Sequence, residues 1–309
     1  MNDLDLVVGG CGFIGSHMVG ALLQAGRRVR VVDDLTTGYT YNLRDMDCEF
    51  IRGDAANEQV AAKVCQGVAR IFHLGARPSV PWSFQHPALA YHANHATTLA
   101  LIEAASQAGV QRLVFSSSSA IYGDSLELPK TEDMAPAPQS PYAEHKLAGE
   151  VALFQAATAG RLEAVSLRYF NVYGPRQDPS SPYSGVISLF AKWLQEQRDP
   201  TFFGDGLQTR DFVYVSDVVK ANLLAAEAVL PSLAPVYNVA SGTSITINEL
   251  WNTLCMVACR AAGTPTFLQA RPGDVRHSSA SLAKIQAQLG FVADVDLRSG
   301  LEHTLASLA

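Results

Sequence analysis

Through its first half the chain alternates short apolar runs with helix-length amphipathic stretches, and this narrows the fold more than any other feature. "LDLVVGG" reads as a strand, with a helix from about Ile14 to Ala25 behind it. "RVRVVDD" and "CEFIRGD" read as the second and third strands. "RIFHLGA" is the fourth, followed by one long helix across "HPALAYHANHATTLALIEAASQAG". "RLVFSSSS" is the fifth, and the helix carrying "SPYAEHK" leads into a sixth, "LEAVSLRYF". Strands separated by helices cannot pair through tight hairpins, so the pattern implies parallel strands joined by crossover helices. Their near-continuous Val, Leu and Ile content fits a sheet covered on both faces. The expected class is α/β: a doubly wound, parallel, Rossmann-like sheet with a smaller mixed α/β substrate domain.

After Asn171 the texture changes. "YGPRQDPSSPYSG" is rich in Pro, Ser and Gly and reads as a long loop of the kind that is often functional. A helix ("VISLFAKWLQEQ"), a glycine turn ("FFGDG") and "QTRDFVYVSD" follow, and "PVYNVA" reads as a strand able to return to the main sheet. From about Ser244 the pattern is mixed. The expected division is 1–170 plus about 212–245 as the parallel-sheet domain, and about 171–211 plus 246–309 as a smaller second domain.

Composition mainly excludes. A net charge of −6 over 309 residues speaks against a broad nucleic-acid footprint. No apolar run reaches the roughly 20 residues that span a bilayer, and "MNDLDLVVGG" lacks the basic start of a signal peptide. Five cysteines without framework spacing suggest reduced thiols in a cytoplasmic protein. Cys255 and Cys259 share a helix face, as small hydrophobes rather than metal ligands. His92 and His95 have helical ligand spacing but no supporting carboxylate or cysteine cluster, so no metal site is expected.

Between the first strand and first helix lies "GGCGFIG", with Gly9, Gly12 and Gly15 in a GxxGxxG spacing. Glycines there permit a tight turn and let backbone amides approach a pyrophosphate at the helix N-terminus. Asp33 ends the next strand about twenty residues on, where a carboxylate binds adenosine ribose hydroxyls and repels a 2′-phosphate. Asp33 followed by Asp34, with no arginine after them, favours NAD over NADP. Asp54, ending "FIRGD", is a candidate for the adenine edge.

In "SPYAEHK", Tyr142 and Lys146 are four apart, which stacks them on one helix face. An isolated pair of that spacing is usually an ordinary surface contact. Here "SSSSAIYG" ends the fifth strand, and ligands of open α/β sheets bind beyond the carboxyl ends of the strands. A serine hydroxyl, a tyrosine and a lysine would then converge over the nicotinamide. A free phenol ionises near pH 10, and each unit of depression requires about 1.36 kcal/mol. Lys146 and a positive nicotinamide ring are expected to supply several such units. Ser118 would hydrogen-bond the same substrate oxygen.

Together these residues resemble the extended short-chain dehydrogenase/reductase superfamily and, more narrowly, nucleotide-sugar epimerases of the UDP-hexose 4-epimerase type. The resemblance covers nearly the whole chain, on "GGCGFIG", "SSSSAIYG", "YAEHK", "RYFNVYGPRQ", "GDGLQTRDFVYVSD" and "RPGDVRHS". It implies Ser118 as the catalytic hydroxyl, within one residue of register in a run of four serines, with Tyr142 as base and Lys146 as its helper. It implies NAD held by Gly9, Gly12, Phe13, Ile14, Gly15, Asp33, Asp34, Asp54, Leu74, Ala76, Asn94, Ser116, Tyr142, Lys146 and Tyr169. A UDP-sugar would meet Ser118, Asn171, Val186, Phe203, Arg210, Arg271, Asp274 and Ser278, with Arg210 and Arg271 gripping the diphosphate through guanidinium forks. The implied reaction passes the C4 hydride to NAD and back, through a 4-keto sugar that turns over in its site. It also implies a homodimer through the helix after the fourth strand ("LALIEAASQAG") and the helix bearing the tyrosine ("AGEVALFQAA").

Departures from the resemblance narrow it. Family dehydratases and decarboxylases carry carboxylates just after the catalytic hydroxyl, where this chain has Ser119 and Ala120. Hexose-only epimerases commonly carry a bulky tyrosine four residues after the "GD" aspartate. Here that position is Ser278, leaving room for a 2-acetamido group and implying UDP-GlcNAc/UDP-GalNAc interconversion, with UDP-Glc/UDP-Gal slower. The lysine some relatives place near Pro78 is absent. One rival is a UDP-glucuronate 4-epimerase, with Arg77 or Arg176 facing C6. Another, from a different class, is a non-catalytic NAD-binding scaffold, which typically loses the tyrosine or lysine.

Overall fold

The computed structural model describes residues 4–178, 185–269 and 275–308. In chain order its strands are β1 (Leu4–Val8), β2 (Arg28–Asp33), β3 (Glu49–Arg52), β4 (Arg70–His73), β5 (Arg112–Ser118) and β6 (Glu163–Tyr169), then β7 (Asn171–Tyr173), β8 (Thr201–Phe203), β9 (Thr209–Tyr214), β10 (Val236–Val239), β11 (Ser244–Thr246) and β12 (Thr266–Leu268). The helices are α1 (Phe13–Gln24), α2 (Glu58–Cys65), α3 (Val80–Gln85), α4 (Pro87–Tyr91), α5 (Thr97–Ala108) and α6 (Pro141–Thr158), followed by α7 (Val186–Gln195), α8 (Val215–Glu227), α9 (Ile247–Val257), α10 (Ala283–Leu289) and α11 (Leu297–Ala306).

Seven strands form one sheet in the order β10-β6-β5-β4-β1-β2-β3, every neighbour parallel. Strand alternation divides its apolar residues between two cores. Val7, Phe72, Val114 and Val165 face a layer that includes Met18 and Leu22 of α1 and Val218 of α8. Leu6, Ile71, Leu113 and Phe115 face Val64 of α2, Leu101 of α5 and Leu153 of α6. "PVYNVA" returns as β10 beside β6. The order reverses between β1 and β4, the switch point at which such sheets open a ligand crevice.

A three-stranded sheet, β11-β9-β7, and the β8-β12 pair stand apart, over a third core that includes Tyr173, Phe190, Trp193, Phe202, Trp251 and Leu301. Buried Asp211 of β9 accepts the amides of Ser241 and Gly242, and buried Asp217 of α8 accepts those of Asp294 and Val295. Each carboxylate thereby ties a distant loop to the β9–α8 junction.

Two local readings change. The long helix after β4 runs unbroken from Pro87 to Ala108 but is not α-helical throughout: α4 passes into a π-helical turn over His92–Ala96 before α5 begins. Cys259 does not share a helix face with Cys255, because α9 ends at Val257 and Cys259 is exposed with φ of 52°.

Candidate active site

The GGCGFIG segment becomes the tight turn from β1 into α1. Gly9 has φ of 78°, and a Cβ there would lie 2.7 Å from the Gly75 backbone; a Cβ on Gly15 would strike the Gly9 carbonyl oxygen. Both positions therefore require glycine. Gly12 caps α1 without a side-chain partner, so the first-turn amides face the crevice with the partial positive charge of the helix end.

That crevice is a cavity of about 600 Å3 at the ends of β1, β2 and β4. Of the residues expected to hold the coenzyme, Gly9, Gly12, Phe13, Ile14, Gly15, Asp33, Asp34, Asp54, Leu74 and Ala76 line it, and Asn94, Ser116, Tyr142, Lys146 and Tyr169 do not. Asp33 is held by the amides of Cys11 and Leu35, both at 2.9 Å. Burial pushes its carboxyl up, and those two amides oppose the shift. Asp54 accepts the Ala56 amide and pairs with His92 at 2.6 Å. Asn94, buried in the π-helical turn, accepts the Arg77 amide at 2.7 Å and donates to the Arg77 carbonyl, fixing the strip after β4.

The cavity is also bounded by a segment the coenzyme expectation did not include. Arg176, Gln177 and Asp178, following β7, line it from above. His17 of α1 bonds the Pro175 carbonyl at 2.9 Å, and the Tyr39 hydroxyl donates to Asp178 at 2.9 Å. Separate runs of sequence thus close over one crevice, which only the folded contacts reveal.

At the end of β5 the other expected group assembles. Ser140 caps α6 by accepting the Ala143 amide, Pro141 occupies the first turn, and Glu144 adds negative charge near the helix start. Tyr142 and Lys146 then fall on the buried face of α6. The Ser118 hydroxyl accepts the Ala120 amide and acts on the Tyr142 phenol, lowering its pKa against burial, whereas Ser117 donates its hydroxyl to Glu150. Lys146 donates Nζ to the Ser116 carbonyl at 2.7 Å and lies 4.8 Å from the Phe115 ring centre. Its Nζ is 6.0 Å from the Tyr142 ring centre.

The protein surroundings by themselves push the Tyr142 phenol up, because burial outweighs the opposing effect of the Ser118 hydroxyl. Lys146 is itself driven down to about 7 by burial, with Glu150 opposing the shift. Two desolvated groups each favour their neutral form, and motif spacing carries no information about desolvation.

The remaining expected residues divide. Tyr169 commits its hydroxyl to Asn222 within the core. Asn171 donates to the Asp211 carbonyl, Arg210 to the Thr209 carbonyl, and the Ser278 amide donates back to that same Thr209 oxygen. These three therefore gather around β9. Val186 opens α7 and Phe203 ends β8. Arg271 and Asp274 lie outside the described residues.

The residues missed by sequence reasoning sit behind Lys146. Glu150 and Arg168 form a buried ion pair at 2.8 Å, and the Arg168 guanidinium lies 4.9 Å from the Tyr122 ring centre. The available signal was the arginine inside the apolar run "LEAVSLRYF": a charge in a buried strand requires a partner. Among the described residues no group of three potential metal ligands occurs, and no helix is long and apolar enough to cross a membrane.

The geometry combines a glycine turn at a helix N-terminus, an acid ending β2 and a Ser–Tyr–Lys cluster ending β5. Residues 6–240 match the model of the "NAD dependent epimerase/dehydratase family". The chain belongs to that family. NAD is the family's coenzyme, and the uncapped amides of α1 and the Asp33 carboxylate fit its pyrophosphate and ribose. A UDP-glucose 4-epimerase of Mycolicibacterium smegmatis is 36% identical over 306 residues, spanning 97% of this chain and 96% of the relative. The crystal structure of UDP-glucose 4-epimerase with UDP-glucose from Thermotoga maritima is similar with a TM-score of 0.94 and 36% identity, covering 99% of this chain and 98% of that one. A UDP-N-acetylglucosamine 4-epimerase from Methanobrevibacter ruminantium, in complex with UDP-N-acetylmuramic acid, gives the same TM-score, identity and coverage.

Proposed function

We propose that the protein is an NAD-dependent UDP-sugar 4-epimerase acting on the UDP-GlcNAc/UDP-GalNAc pair, with UDP-Glc/UDP-Gal turned over more slowly. What carries the reaction class is the Tyr142–Lys146 pair on the buried face of α6, with Ser118 acting on the Tyr142 phenol and Lys146 held to the Ser116 carbonyl, at the end of β5, two strands from the glycine turn that follows β1. Bound NAD supplies a two-electron acceptor for the C4 hydride and a positive ring that offsets the burial raising the Tyr142 phenol.

In this reading Tyr142, as phenolate, takes the proton from the sugar O4 while the Ser118 hydroxyl donates to that oxygen. Lys146 stabilises the phenolate, and Tyr142 returns the proton when the opposite face of the 4-keto sugar is reduced. Arg210 and Arg271 hold the diphosphate, with Asn171, Val186 and Phe203 around the uridine. Firm contacts to UDP and sparse ones to the sugar leave the ring free to turn over. Gly9 to Gly15, Asp33, Asn94 and their neighbours hold the coenzyme.

The choice of sugar rests on Ser278, whose small side chain is set against β9 by its own amide. The glucuronate reading is weaker: Arg77 and Arg176 both line the coenzyme cavity, and Arg77 lies over Trp82 at 5.2 Å from its ring centre. Intact Tyr142 and Lys146 argue against a scaffold.

The test incubates purified protein separately with UDP-GlcNAc, UDP-Glc and UDP-GlcA and resolves the C4 epimers by chromatography. UDP-GlcNAc should epimerise fastest; rapid UDP-Glc turnover with UDP-GlcNAc untouched would sink the Ser278 argument. Tyr142→Phe should retain NAD and lose about 10²–10⁴-fold in kcat, the usual contribution of a general base.

A further inference from the structure

Glu150 stands one helical turn beyond Lys146 on α6, as Lys146 stands one turn beyond Tyr142, so the three side chains share a face. The Glu150 carboxylate is buried and tightly held. Arg168 donates Nε to Oε1 at 2.9 Å and its terminal nitrogen to Oε2 at 2.8 Å, and the Ser117 hydroxyl donates to Oε1. Lys146 rests instead on a carbonyl and an aromatic ring, the Ser116 oxygen and Phe115. An ammonium buried on such partners needs a negative field to remain charged.

We propose that Glu150, held in place by its two-point ion pair with Arg168, is a positioning residue that keeps Lys146 protonated during catalysis. The series Arg168, Glu150, Lys146, Tyr142 then alternates in sign from β6 to the reacting phenol. Among the described residues, Glu150 is the acidic group that acts on Lys146. Tyr142 on α6 is neutral when protonated, and burial holds His73 of β4 neutral. β5 offers a carbonyl and a ring, and Thr98 of α5 bonds His73. Tyr122 and Arg168 lie behind Glu150, while His95 and His145 stack on one another. The link to catalysis rests on the function proposed above; the effect on Lys146 does not.

The decisive measurement is an NMR titration of 13Cε-labelled lysine in the NAD-loaded protein, with the Lys146 signal identified by its loss in Lys146→Met. In Glu150→Gln, Lys146 should titrate about one to two pH units lower, a tenfold to hundredfold loss of the ammonium at fixed pH. The double variant Glu150→Met/Arg168→Met strands no buried charge and covers the case in which Glu150→Gln fails to fold. Its Lys146 should shift in the same direction by a smaller amount, and the alkaline limb of kcat should follow. Lys146 titrating at its wild-type pH in the double variant would overturn the proposal and leave Glu150 a structural brace. Absence of any UDP-sugar turnover by the wild type would overturn the proposed function instead, and the titration would still decide the role of Glu150.

Discussion

His73 ends β4 with no exposed surface, its Nε2 3.0 Å from the Thr98 hydroxyl. That hydroxyl already donates to the Asn94 carbonyl, so His73 must donate through Nε2, and its buried Nδ1 has no partner. A second proton would sit on Nδ1 without an acceptor, facing Lys146, and burial accordingly drives the imidazole from 6.5 down to about 3. The sign of the stability effect follows. Below about pH 6.5 the unfolded chain binds a proton that the folded chain refuses, so stability falls as pH drops from about 6.5 towards about 3. His73→Gln, which keeps a donor for Thr98, should flatten the loss between about pH 6 and pH 4 by up to about 1.4 kcal/mol per pH unit. Urea denaturation at several pH values reads this directly; parallel curves for the two proteins would refute it. The same scale explains why Tyr142 was legible as a residue but not as a charge state. Its position follows from spacing, whereas its ionisation follows from how much water the fold removes.

The π-helical turn between α4 and α5 is the element that most affects the crevice. Its wider backbone brings Asn94 inward against both polar groups of Arg77, which fixes the strip carrying Leu74 and Ala76. A hydrophobic pattern of period 3.6 continues through such a turn, so the sequence reads as one helix. Asn94→Ala would leave the Arg77 amide and carbonyl without partners. Leaving a buried polar group unsatisfied costs about 1–3 kcal/mol, so NAD affinity should fall by roughly ten- to a hundredfold. Equilibrium dialysis of the variant against NAD checks this, and unchanged affinity would remove the turn from the coenzyme site. The start of α6, by contrast, is a local pattern: Ser140 caps it, Pro141 fills the first turn and Glu144 adds negative charge there.

At the scale of the molecule, α4, α5 and α6 leave Tyr91, Leu99, Val151 and Phe154 exposed on one side of the sheet. Contiguous apolar exposure of this kind favours association. We propose that a second copy of the chain covers it, as a four-helix contact built from α5 and α6 of each subunit. Wild-type protein should run as a dimer in light scattering, and Val151→Glu should yield a monomer that remains folded by circular dichroism. A monomeric wild type would refute the assembly. Val151 is exposed and lies outside the Ser118–Tyr142–Lys146 cluster, so this substitution separates assembly from chemistry.

The amino-acid sequence alone determined the strand–helix alternation, the glycine turn, the acid ending β2 and the Tyr142–Lys146 spacing. Each is a local pattern: a backbone requirement, a period or a fixed offset along one element. Tertiary structure alone decided that residues 176–178 roof the coenzyme crevice, that Arg168 meets Glu150, and that Tyr142 and Lys146 both lose their water. Those features depend on contacts between residues far apart in the chain and on desolvation, which belong to the packed whole and have no signature in a neighbouring residue.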